Sequence, residues 1–442
     1  MWVLLVMLLL IFFLLKEKSK TIILGPKRLP YVGNLFSVLL ELKKAKYHHT
    51  LWKTWSMKYG NLLGLRLGSI NIVVVFGKEM IKEVSSRDAF DGRPDGFMYT
   101  LRSFGKKLGI VFNDGHSWAK TRRIALKYFK SFGYGSRHME EHISGECKEL
   151  VKILSRTNEP LLVNNMFDVA IVNVIWQLVA GKRLLQKVIE EHRTTLDLDN
   201  PRDVIDSFLI EMHQNKENSC KYITDVTGEE LQVVCLDMFE AGVETVKNTM
   251  VFMLLYLVRE QEVLRRLQIE IDEVVGKDRT PTLSDRSKQF RMIYTEAVIL
   301  ETLRITSVAP VGIPHMALAD TQLGNYNIPK QGTFILFGLH DLHNGSRWKN
   351  PSEFRPERFL TNESNLMHDE SLMPFGCGKF FSGKRRCIGE NLAKSELFMF
   401  ITHILQKFNL RVPDGDPLPT AEPLDGLTLS AKPFKLLFQQ RN

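Results

Sequence analysis

Hydrophobic positions fall in three patterns along this chain. The first is an unbroken run, Met1 to Leu15 (MWVLLVMLLLIFFLL), followed by Lys16, Lys18 and Lys20. As a helix it reaches roughly 22 Å, short of a bilayer core of about 30 Å unless the lysines snorkel and the membrane thins. No charge precedes it beyond the amino terminus and no small-residue cleavage site follows. That favours an uncleaved membrane anchor over residues 1–20 against a cleaved signal peptide, with the lysines keeping the remaining chain cytosolic. Leu24 to Asn34 holds two prolines and two glycines, which predicts a hinge over residues 21–35. The second pattern is alternation: Leu62 to Val75 reads as a β-hairpin turning at Gly68-Ser69. Tyr326 to Lys330 and Thr333 to Phe337 read as further hairpin strands.

The third pattern, helical spacing, fills most of the rest. His138 to Thr157 repeats apolar residues at Met139, Ile143, Cys147, Val151 and Leu154, and Met166 to Ala180 reads as a buried helix ended by Gly181. Glu229 to Val258 is one long helix of roughly 45 Å. From Asn391 a helix and then short strands run to the C-terminus.

Composition narrows the class. The 442 residues, 44% hydrophobic and 25% charged, are ample for a large core, and residues 36–442 read as a single globule. A net charge of +9 admits an anionic membrane or an acidic partner; no basic stripe with interleaved aromatics points to nucleic acid. Five scattered cysteines, an odd number, exclude a disulfide framework and fit a reducing compartment.

Candidate chemistry centres on Pro374 to Ala393, a glycine-broken loop delivering Cys387 to the start of a helix. Gly383 and Gly389 flank the cysteine where a side chain would obstruct a flat ligand or a sharp turn, and Arg385 lies two residues before it. A helix N-terminus and nearby cations favour a thiolate; the plainer reading of a lone cysteine is inert packing. F-x-x-G-K occurs twice in tandem, from Phe375 and from Phe380. Cys377 has no arginine two residues before it and has Lys379 where Cys387 has a glycine.

Other combinations stand beside this loop. Trp118 and Arg122 share a helix face, a pairing that otherwise marks a solvated arginine beside a packed tryptophan. Within Ala241-Gly242-Val243-Glu244-Thr245, Gly242 costs about 1 kcal/mol of helix propensity. Either close approach of a ligand, with Thr245 bonding back to the carbonyl of Ala241, or a mid-helix packing contact would offset it. Glu301 and Arg304 form an i, i+3 pair in apolar surroundings.

Phe380, Gly383, Arg385, Cys387 and Gly389 match F-x-x-G-x-R-x-C-x-G, the haem-ligand loop of the cytochrome P-450 family. The W-x-x-x-R, A-G-x-E-T, E-x-x-R and P-E-R-F elements occur in that family's order, so nearly the whole chain resembles a microsomal, animal family-2-like haem-thiolate monooxygenase. The resemblance implies a mainly α fold with small β-sheets and haem b with Cys387 as its iron ligand. It places Trp118, Arg122, Arg385, His315 and Arg93 at the haem carboxylates. It assigns Glu244 and Thr245 to water and proton delivery, and Val246 replaces a second hydroxyl residue often found there. Ala241, Ala309 and Ile313 are implied to face substrate, and Glu301, Arg304 and Arg358 to form a buried structural network. Electrons would come from NADPH-cytochrome P-450 reductase at the endoplasmic reticulum membrane, and the substrate would be a lipophilic small molecule.

One departure stands out. After Val179 to Arg183 the family continues through helices that roof the substrate cavity, whereas this chain passes directly to LLQKVIEEHR. The expectation is an intact haem site with impaired substrate enclosure. The alternatives are an inactive haem-binding membrane protein and a haem-thiolate isomerase; Glu244-Thr245 favours dioxygen activation over the isomerase.

Overall fold

A computed structural model describes residues 23–132, 137–180, 192, 194–198, 205–206, 209–210, 227–286, 292–330, 332–362, 365–377 and 383–441. The predicted anchor, the shortened stretch directly after Ala180 and the junction of the tandem F-x-x-G-K repeat lie outside these residues.

The principal elements begin with helices α1 (Leu35–Ala45) and α2 (His48–Tyr59), strands β1 (Leu62–Leu67) and β2 (Ile70–Val75), and α3 (Lys78–Ser86). Next come α4 (Gly115–Phe132), α5 (Arg137–Leu154), β3 (Leu161–Leu162), α6 (Asp168–Ala180), α7 (Gly228–Arg259), α8 (Gln261–Val274) and α9 (Ile293–Thr306). Strands β4 (His315–Met316), β5 (Thr321–Leu323), β6 (Tyr326–Ile328) and β7 (Thr333–Phe337) precede the last helix, α10 (Glu390–Lys407), and strands β8 (Phe408–Arg411) and β9 (Lys435–Gln440). The chain divides into two compact units. One is Met1–Pro94 with Pro310–Leu342 and Gly376–Arg385, and the other is Asp95–Ala309 with His343–Phe375 and Arg386–Asn442.

The first unit is built on a four-stranded sheet ordered β1-β2-β7-β4. The predicted hairpin forms as read, with Leu67 opposite Ile70 and Gly68 at φ 60°, a conformation open to glycine at little steric cost. The two downstream runs separate. Tyr326–Ile328 pairs with Thr321–Leu323, while Thr333–Phe337 lies parallel to β2 and antiparallel to β4. Pro329 offers no N–H to a ladder and Gly332 turns the chain at φ 75°, so the two cannot form one hairpin. Leu51, Trp52 and Trp55 of α2 cover Leu63, Leu65, Ile72 and Val74 of the sheet.

The second unit is organised around α7. Thr227 caps it, its hydroxyl accepting from the N–H of Glu230 at 3.1 Å, with Glu229 and Glu230 in the first turn and Arg259 in the last. It is apolar and long enough to cross a membrane by composition alone. All six residues from Met250 to Leu255 are buried, however, so this stretch is covered on every face by protein. Helices α6, α9 and α10 pack on it.

Two histidines of this unit are buried as neutral rings. His343 Nδ1–H donates to Ser307 Oγ at 3.0 Å, and its Nε2 accepts from the N–H of Met373 at 3.0 Å. Burial and the Arg304 charge hold its pKa down at about 3, and burial holds that of His403 at about 4. Both values lie below the ordinary 6.5, so the unfolded chain binds these protons first. Stability is then full above pH 6.5 and falls as pH drops toward 3, each group contributing up to about 1.4 kcal/mol per pH unit. The expected measurement is a urea midpoint that declines steadily between pH 6.5 and 4. His343→Phe should still fold if its pocket tolerates the ring, and should flatten that decline.

Candidate functional site

Cys387 lies three residues before α10, and Gly389 stands at the helix N-cap. The backbone N–H of Cys387 donates to Phe375 O at 2.9 Å, and the N–H of Gly389 points at the sulfur. Protein crowds the thiol while leaving the residue exposed. Here the sequence expectation of a favoured thiolate is corrected. Burial pushes the thiol up, and that outweighs the Gly389 N–H and the Arg122 and Arg386 charges, which pull it down. Cys377 differs: it is buried, its Sγ lies 3.9 Å from Ile81 O, and burial raises its thiol too.

In the same unit as Cys387, α4 presents Trp118 and Arg122 one turn apart. Arg122 donates to the carbonyl of Arg386 and sits 5.8 Å from the Trp118 ring centre, while the indole N–H donates to Ile110 O at 3.1 Å. Within the other unit, Arg93, His315 and Arg385 are all fastened to backbone. Arg93 donates to Pro314 O at 3.0 Å, Arg385 Nε to Asp91 O at 2.9 Å, and His315 Nδ1–H to Phe90 O at 2.8 Å. Burial, then the Arg93 and Arg385 charges, hold the His315 pKa well below the ordinary value, while the Phe90 bond pulls the other way. His315 is thus neutral with Nε2 as a lone pair, and only an anion brought beside it would reward a second proton.

In the α7 motif Thr245 bonds back as read, and Gly242 meets a neighbouring helix. Thr245 Oγ1 donates to Ala241 O at 2.8 Å, and Thr249 repeats the bond to Thr245 O at 2.8 Å. Gly242, however, faces α6: a Cβ there would lie 2.6 Å from Ile175 Cδ1. The packing contact, one of the two readings of that glycine, is thus present. Glu244 accepts from Thr428 Oγ1 at 2.6 Å. Ala241 and Ile313 are exposed and Ala309 half-buried.

Glu301, Arg304 and Arg358 form a buried cluster. Glu301 receives Arg304 through Nε at 2.7 Å and Nη2 at 2.9 Å, Arg358 Nε at 3.0 Å and the N–H of Arg355 at 2.8 Å. The remaining guanidinium donors reach the carbonyls of His343, Lys349, Asn350, Pro351 and Glu353.

Sequence reasoning missed a second polar cluster on α7. Asp237 accepts from Arg102 and from the N–H groups of Ile110 and Val111, and Glu230 accepts from Thr121 at 2.9 Å and the N–H of Gly109 at 3.2 Å. Burial raises both carboxyls. This clamps the 102–111 loop to the helix. Gly109, at φ 82° and close to Asp237, leaves no room for a side chain.

In the unit that holds Cys387, the donors fit an iron porphyrin: a sulfur at a helix start for the metal, and Arg122 and Trp118 for a carboxylate. Comparison with known proteins agrees. Residues 23–185 and 180–438 match the Cytochrome P450 family. A farnesoate epoxidase of Bombyx mori is 53% identical over 94% of this chain and 93% of its own length. A probable cytochrome P450 305a1 of Drosophila melanogaster and cytochrome P450 2C20 of Macaca fascicularis are each 32% identical over 94% of the chain, covering 94% and 93% of their own lengths. The first alignment spans 475 positions, more than the 442 residues present, so it opens gaps in this chain. The family match comes in two segments that meet at residues 180–185.

Proposed function

The chain belongs to the cytochrome P450 family of haem-thiolate monooxygenases, and on that premise we propose that it oxidises a lipophilic unsaturated carboxylic acid of the farnesoate kind. The observation that carries the substrate reading is the 53% identity to a farnesoate epoxidase across nearly both chains. The cofactor is haem, which we assign as haem b, with Cys387 as its iron ligand and Trp118, Arg122, Arg385, His315 and Arg93 toward its carboxylates. When bound, haem supplies activation of dioxygen, and a thiolate ligand favours O–O cleavage.

The protein's own part is placement and proton supply. Gly389 N–H and the start of α10 steady a negative sulfur. Thr245 Oγ1, tied to Ala241 O, and the Glu244 carboxylate, tied to Thr428, are the groups assigned to hold and pass protons. Electrons come from a redox partner, which we take to be NADPH-cytochrome P-450 reductase at the endoplasmic reticulum membrane, with residues 1–20 as the anchor. The gaps around residue 180 support a less enclosed substrate cavity and looser regioselectivity.

The test is reconstitution of the full chain with the reductase, NADPH and farnesoate under labelled dioxygen. One labelled oxygen per product is expected. Product formed from a lipid peroxide without NADPH would establish an isomerase instead. A bound haem with no turnover of any lipophilic acid would establish the inactive haem-binding protein.

A further inference from the structure

We propose that Thr428 is a positioning residue for Glu244, a hydroxyl from the C-terminal loop that fixes the acid of the Ala241–Thr245 turn for proton delivery. The proposal rests on the reading of Glu244 as that acid. Three groups form a directed chain. Asn248 Nδ2 reaches Thr428 Oγ1 at 3.5 Å, and Thr428 Oγ1 reaches Glu244 Oε1 at 2.6 Å. An amide nitrogen can only donate and a carboxylate can only accept, so the single threonine proton is committed to Glu244. The 2.6 Å length is that of a charge-assisted O–H···O bond. Glu244 and Asn248 stand one turn apart on the same face of α7, so one hydroxyl bridges both.

Thr428 is itself held by bonds that do not involve Glu244. The N–H of Leu429 donates to Val308 O at 2.8 Å. Ser430–Ala431 pairs with Pro423–Leu424 and packs on α7, and Ala431 O accepts from Asn164 Nδ2 at 2.9 Å. The loop therefore sets the hydroxyl, and the hydroxyl sets the acid. Glu244 is exposed and its side chain has several rotamers to choose from. With Oε1 pinned, Oε2 is left in a defined direction for proton exchange. Nothing in the α7 sequence announces this, because Thr428 is 184 residues away.

The experiment compares Thr428→Val, Thr428→Ser and Glu244→Gln in the full-length holoprotein. The infrared difference between wild type and Glu244→Gln isolates the Glu244 carboxylate stretch in the resting protein, a readout independent of turnover. We expect that band to shift in Thr428→Val and to return in Thr428→Ser. In reconstituted turnover, Thr428→Val should divert severalfold more NADPH electrons to hydrogen peroxide at unchanged substrate KM, and Thr428→Ser should recover to within about twofold of wild type. An unmoved band in Thr428→Val overturns the proposal, even where that variant is thermally weakened, since that is the outcome of a purely structural threonine. If Glu244→Gln leaves the yield of product per NADPH unchanged, the reading of Glu244 as proton donor fails instead, and with it the catalytic meaning of the contact.

Discussion

Cys387→Ala yields a folded chain whose reduced, carbon-monoxide-treated form lacks the red-shifted Soret band of thiolate ligation, and whose product formation drops to background. The fold survives because the bond that locates this residue is made by its backbone N–H to Phe375 O, which alanine retains. Activity does not survive, because this sulfur is the group we assign to the haem iron. A loss of at least about a thousandfold, equivalent to about 4 kcal/mol of barrier, is expected. Cys377→Ala is the control: that thiol is packed against Ile81, so its removal should cost some stability and leave the optical signature intact. If the red-shifted band persists in Cys387→Ala and disappears in Cys377→Ala, the ligand assignment is reversed.

Glu301→Ala is the largest expected loss of stability. The carboxylate is fully buried and receives two guanidinium groups and a backbone N–H. Shortening it strands the positive charges of Arg304 and Arg358 in the interior, at a cost of about 3–5 kcal/mol. Against a total stability of about 5–15 kcal/mol, that is enough to prevent accumulation of the folded protein. Arg304→Lys should fail almost as badly, since an ammonium cannot reproduce the forked contact to Glu301 together with the bonds to His343, Asn344, Pro351 and Glu353. Chemical denaturation of the purified variants, or their haem content if they unfold during preparation, measures this. A Glu301→Ala chain within 1 kcal/mol of wild type would remove the cluster's structural role.

What the sequence disclosed and what it withheld follow the range of the interactions involved. The β1–β2 hairpin and the run of α7 were legible because alternation and helical spacing are local, and the Thr245 bond to Ala241 spans a single turn. The family was legible because five fixed residues lie within ten. The sign of the Cys387 thiol shift was not, because burial is set by neighbours distant in the chain, and burial outweighed the helix terminus and the arginines. The choice between the two readings of Gly242 was not legible for the same reason, the packing partner Ile175 being on a different helix. Thr428, Asp237 and Glu230 carried no pattern at all: each acts through a partner more than a hundred residues away.

The parallel pairing of β2 with β7 has a consequence for biosynthesis. Residues 70–75 are made early, yet their partner at 333–337 emerges only after some 260 further residues, on the order of ten to fifty seconds at ribosomal speeds. Throughout that interval the nascent hairpin shows an open, Val-rich border with nothing to zip against, so the growing polypeptide is open to aggregation and to capture by chaperones until the late strand arrives.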